Sequence, residues 1–198
     1  MDTDKNWVDW SYYDANASFQ YIASRKNQNS LTCSAPKSGL YIVAMAYWGN
    51  TPILTTQGST AILISGQASN ALSKYYLAYV NCNAGISMTI SCSLSASYSQ
   101  IVVFYFGSRY SNAVLQNYSP AGDNVAASQL VTTANNHVLI GAIAGQSPSV
   151  VGYSCTTQES YAEATFACGT TINSSGTIKM SLVSNNYGCG VIGDILLS

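Results

Sequence analysis

The 198-residue chain reads as an all-β protein, an antiparallel β-sandwich or jelly-roll-like fold built as two tandem, similar units. Three observations predict this. The surface has to be polar without being charged, short apolar or alternating runs are separated by Gly, Pro, Asn and Ser, and the strand pattern of the first half returns in the second.

Only 8% of the residues are charged against 47% hydrophobic, where soluble chains average about 25% charged. No acidic residue occurs between Asp14 and Asp123, so Ser, Thr, Asn, Gln and Tyr must cover that stretch. These residues suit strands and turns, because Ser, Thr and Asn compete with the backbone for hydrogen bonds inside a helix. A formal net charge of −1 leaves no basic footprint for a phosphate backbone, so nucleic acid is not an expected partner. The longest apolar run, residues 101–106, is strand-sized and far short of a membrane-spanning helix, and no membrane association is expected. The opening Met1-Asp-Thr-Asp-Lys-Asn has neither a basic start nor an apolar core, so no secretory signal is expected.

Residues 1–30 stand apart as an N-terminal arm or first strand. Trp7, Trp10, Tyr12, Tyr13, Phe19 and Tyr21 lie there among most of the early charges. The pattern predicts a first sandwich over 31–110, with strands at 39–48, 53–56, 60–65, 75–80, 86–94 and 100–106. Residues 111–130 read as a linker, with room for a helical turn near 112–129. A second sandwich follows over 131–198, with strands at 137–144, 149–153, 162–168, 177–183 and 191–197.

The duplication is legible in turn chemistry as well as hydrophobicity. Tyr41-Ile-Val-Ala-Met-Ala-Tyr-Trp-Gly-Asn-Thr-Pro52 overlays His137-Val-Leu-Ile-Gly-Ala-Ile-Ala-Gly-Gln-Ser-Pro148 at an offset of 96, each an apolar strand ending in Gly-polar-polar-Pro. Ile86-Ser-Met-Thr-Ile90 matches Ile178-Lys-Met-Ser-Leu182 at 92, and the closing apolar strands match at 90 (Ile101 on Val191). Shrinking offsets mean shorter loops in the second copy.

Groups for catalysis are sparse, one His and eight carboxylates, and the chain is expected not to be an enzyme. A Ser-His-Asp arrangement would need His137 with Asp123, Asp194 or a distant carboxylate, and no Gly-x-Ser-x-Gly elbow is present. His137, at the start of an apolar strand, reads as structural. Glu159 and Glu163 are four apart, but the local Ser, Tyr and Thr favour a strand, so a glycosidase pair is not expected. The six cysteines lack CxxC spacing and a His pair, so neither a metal site nor a cofactor is expected. They read as buried reduced thiols, with disulfides as the other reading.

What remains is binding through uncharged polar and aromatic groups. The 15 Tyr and 3 Trp bury area on one side and hydrogen-bond on the other. Trp7, Trp10, Tyr12 and Tyr13 read as an arm docked on a neighbouring subunit, with intrachain packing and a carbohydrate site as the other readings, and Trp48, at a strand end before a turn, is a further candidate binding residue that also reads as half-buried.

Ala35-Pro-Lys-Ser-Gly-Leu-Tyr-Ile-Val-Ala44 resembles an element of phage tail-fibre and head-fibre domains and of trimeric jelly rolls of the tumour-necrosis-factor and complement-C1q type. Tyr79-Val-Asn-Cys-Asn-Ala-Gly-Ile-Ser-Met-Thr-Ile90 is similar to the element that follows there. The resemblance covers about a third of the chain, and Ile86 stands where those domains carry an acidic residue. It implies a virion-exposed β module that forms a homotrimer and contacts other virion proteins, and it assigns no functional residue. The expected function is therefore a phage structural protein of the virion exterior, a fibre or capsid decoration made in the host cytoplasm. The alternative is an adhesin domain that binds a host-surface glycan or receptor.

Overall fold

Alternating apolar and polar residues, broken every few positions by turn formers, leave the chain no way to bury its apolar side chains except as stacked sheets. The computed structural model describes residues 20–26, 30–48, 53–67, 73–91, 100–121, 126–132, 136–146, 149–153, 155–161, 164–170, 178–184 and 186–198. Those residues are all-β, with antiparallel strands and no helix.

The first half supplies β1 (Gln20–Lys26), β2 (Ser30–Ser34), β3 (Gly39–Trp48), β4 (Ile53–Thr56), β5 (Ser59–Gln67), β6 (Ser73–Cys82), β7 (Ser87–Ser91) and β8 (Gln100–Gly107). The second supplies β9 (Ala113–Ala121), β10 (Ala126–Thr132), β11 (His137–Gln146), β12 (Ser149–Tyr153), β13 (Cys155–Tyr161), β14 (Ala164–Thr170), β15 (Ile178–Ser184) and β16 (Asn186–Leu197). In the first half a large sheet runs β1-β8-β3-β6-β5 and a small one β2-β7-β4. In the second, the large sheet runs β9-β16-β11-β14-β13 and the small one β10-β15-β12. Each second-half order is the first-half order with eight added to every strand, so the duplication extends to topology.

The register corrects one overlay. Tyr41 stands opposite Tyr105, and His137 opposite Leu196, which makes Tyr105 the counterpart of Leu196 at an offset of 91 rather than 90. The difference matters because a one-residue slip exchanges the two faces of a strand. The 92-residue overlay stands: Met88 and Met180 are both fully buried at the centres of their small sheets.

Residues 111–130, expected as a linker, carry β9 and the first part of β10 instead. Their apolar residues are too scattered to signal a core strand, but β9 needs only one partner, β16, and buries little more than Ala113 and part of Leu115. From the expected arm, residues 20–26 form β1 paired with β8.

Two apolar clusters show how the sheets stack. Tyr41, Val43, Met45, Tyr76, Ala78, Val80, Val103 and Tyr105 on one face of the first large sheet pack against Met88, Cys33 and Leu54 of the first small sheet. The opposite face presents Leu40, Ile42, Ala44, Tyr75, Leu77, Val102, Phe104 and Phe106, which share a cluster with Val138, Ile140, Ala142, Val191, Ile195 and Leu197 of the second large sheet. The halves therefore meet through a common core between their large sheets. Burying a side chain such as Phe104 there stabilises by roughly 1.5–3 kcal/mol.

Across that core β1 lies by β13, β8 by β14, β3 by β11, β6 by β16 and β5 by β9. The contacts are reciprocal: β6 meets β16 as β14 meets β8, and β5 meets β9 as β13 meets β1. This is the pattern of an isologous, two-fold interface, formed within one chain.

Gly39 and Gly85 hold the turns. Gly39 enters β3 at φ +143° with its α-carbon against the Gly107 backbone, where a side chain would collide, and Gly85 turns at φ +83°. Around them Ala35 N donates to Ile86 O at 2.8 Å and Gly85 N donates to Ala35 O at 2.7 Å. These bonds join the two segments, 35–44 and 79–90, that carried the family resemblance.

Candidate functional site

The four layers end in two rims. On one side lie β5 and β9, stacked edge by edge. The small-sheet edge β4 joins β5 through a two-residue link, and β10 lies against β9. The other rim carries β1 and β13.

The rims differ in charge. None of the residues of β4 (ILTT), β5 (STAILISGQ), β9 (AVLQNYSPA) or β10 (AASQLVT) is charged. By contrast, β1 carries Arg25 and Lys26, and β13 carries Glu159. Exposed apolar side chains lie on the uncharged rim: Ile53 is 62% exposed, Ile62 59%, Tyr118 50%, Val131 44% and Val114 41%. An edge strand offers its free backbone side to any strand that approaches, and soluble proteins usually guard it with charge, proline or bulges. Here the guards are an extra residue in β5 at Leu63, another in β9 at Gln116, and Pro120. They shorten a continuous ladder without placing a charge on the rim.

Two polar groupings lie inside the layers. His137 Nδ1 and Asp194 Oδ1 are 2.6 Å apart, with side chains 14% and 10% exposed. Both project from the second large sheet on the side away from Val138 and Ile195, toward β10, β15 and β12. The first half has tyrosines around the position of His137. Tyr41 Oη donates to Lys37 O at 2.5 Å, Tyr105 Oη donates to Ser38 O at 3.0 Å, and the two rings lie 4.9 Å apart. Each set ties strand ends together, and the Tyr pair anchors the turn that leads into Gly39.

A cysteine nucleophile would have to lie within reach of His137. Cys33 and Cys82 are free thiols in the cluster between the first two sheets, two sheets away from the His137–Asp194 face. Burial, with Cys82 nearby, pushes the Cys33 thiol up to about 12, and burial raises Cys82 as well. A thiol held protonated is a poor nucleophile. Among the described residues no group of three His, Cys, Asp or Glu converges as a metal site, and no helix is long and apolar enough to cross a membrane.

Of the expected interface residues, Trp7, Trp10, Tyr12 and Tyr13 lie outside the described residues, as do Asp123 and Glu163. Trp48 ends β3 opposite Ser73. Glu159 lies in β13, a strand as its neighbours suggested. Sequence reasoning missed Ile53, Ile62, Val114, Tyr118 and Val131. For Val114 and Tyr118 the available signal was the run of uncharged residues from 112 to 122, which looks like a linker until β16 is placed beside it.

No protein-family model, curated protein or solved structure matches the chain.

Proposed function

We propose that the chain is a structural protein of the exterior of a virus particle, of the phage fibre or capsid-decoration kind, that makes its contacts through uncharged β surfaces and performs no catalysis. The observation that carries this reading is the uncharged rim of β4, β5, β9 and β10 with its exposed Ile53, Ile62, Val114, Tyr118 and Val131. A freely diffusing protein is exposed to edge-to-edge aggregation by such a rim. In a protein whose working state is an assembly, the same rim is a contact surface. The low charge and the duplicated strand set agree with a rigid building block, and a jelly-roll relationship for each set belongs to the same proposal.

Immunogold electron microscopy tests it, with an antibody to the chain applied to particles purified from cultures of the source organism. Gold on the particle exterior is expected. Label confined to cell fractions and absent from particles would refute the reading.

A further inference from the structure

We infer that the uncharged rim binds a second copy of this chain, rim to rim across a two-fold axis. The biological use of this contact rests on the assembly role proposed above, whereas its geometry rests on the fold alone.

Among the described strands, β5 has β6 as its one neighbour in the sheet and β9 has β16, so each is an edge strand there with one side toward pairing. A two-fold axis along the stacking direction of the layers sets β5 antiparallel to its copy and, one layer away, β9 antiparallel to its copy. Both large sheets then continue across the contact through one operation, as closed two-fold assemblies require. The bulges at Leu63 and Gln116 and Pro120 interrupt the ladders, leaving Ile62 of β5 and Val114 and Tyr118 of β9, each strand in its own layer, to pack against the second copy.

Charge selects the partner. Two copies of this rim bring no ionic side chain of the four strands into contact, so neither repulsion nor ion desolvation opposes them. A head-to-tail contact, this rim on the β1/β13 rim of the next copy, would set strands whose sequences include Arg25, Lys26 and Glu159 beside uncharged strands. Size also fits. The four edge strands hold 4, 9, 9 and 7 residues, about 24 Å on average, and four layers spaced about 10 Å span about 30 Å, a footprint of roughly 700 Å², close to the roughly 800 Å² that stable interfaces take from each partner.

The test is light scattering and sedimentation of the full chain. Wild type is expected at twice the chain mass. Ile62→Lys with Val114→Lys, both at exposed positions, is expected at the chain mass with unchanged circular dichroism, self-affinity falling on the order of 100-fold. Arg25→Gln with Lys26→Gln and Glu159→Gln is expected to leave the dimer intact. Hydrogen exchange on wild type supplies an arm without mutation: β5 and β9 amides should gain protection as concentration rises. A wild-type monomer, a trimer or larger ring, or a dimer unmoved by the two lysines would overturn the inference. A dimer dissolved by the lysines with no gold on particles refutes the virion reading alone. Gold on particles with a chain that stays monomeric refutes the rim contact alone.

Discussion

Leu77 in β6 and Gly193 in β16 belong to different halves, and a double-mutant cycle on them measures whether the two large sheets share a core. Leu77 is fully buried, so Leu77→Ala should cost about 2–5 kcal/mol through lost transfer energy and a cavity. A Cβ added at Gly193 would lie 3.0 Å from Leu77 Cδ1 and 3.2 Å from Leu115 Cδ1, tight enough to force both side chains to give. Overpacking of this kind costs about 1–3 kcal/mol, offset by the roughly 0.5–1 kcal/mol that Ala gains over Gly inside a strand. Gly193→Ala alone should therefore destabilise only modestly. Once Leu77 is shortened the nearer obstacle is gone, and the new methyl fills part of the cavity. The double variant should be more stable than the sum of the singles predicts by about 1 kcal/mol or more. Urea unfolding of the four proteins, followed by circular dichroism at one protein concentration, gives the coupling. Additivity within about 0.5 kcal/mol would mean that the two side chains do not meet, and the shared core would have to be abandoned.

Three further outcomes are expected. His137→Ala leaves the buried Asp194 carboxyl without its 2.6 Å partner and should cost about 2–3 kcal/mol in denaturant unfolding, whereas a change within about 0.5 kcal/mol would mean the pair contributes nothing. Cys33 is raised from an ordinary 9.0 to about 12, and Cys82, Tyr41, Tyr76 and Tyr105 are raised too, burial being the leading cause in each. The fold thus holds protons that the unfolded chain releases. Through these groups its stability should be level from neutral pH to about pH 9 and fall as pH rises from 9 toward 12. Iodoacetamide at pH 8 should label Cys33 slowly in the folded chain and readily in urea, and equal rates would contradict the burial.

The strands that the sequence hid all have a single neighbour, although three other edge strands, β4, β5 and β12, were legible. Every interior strand, β3, β6, β7, β8, β11, β14, β15 and β16, lies on a predicted segment, because a strand with partners on both sides carries a dense apolar or strictly alternating run. β2, β9, β10 and β13 had no predicted counterpart, and β1 was read only as an arm or first strand. All five are edges of their sheets, where one partner and a half-exposed face ask for little more than Ser, Thr, Gln and an occasional Val or Leu. A strand such as Ala113–Ala121 is therefore indistinguishable from a linker until its partner is known.

The sequence by itself determined the all-β class, the doubled strand set and the scarcity of catalytic groups, since each follows from local periodicity or residue chemistry. The tertiary structure decided which face of each strand is buried, that Asp194 is the carboxylate His137 meets, and that both large sheets bury their outer faces on each other. It alone gathered β4, β5, β9 and β10 into one uncharged rim. That rim joins segments of both halves, and which edges come together depends on how the sheets stack, which no local pattern of residues encodes.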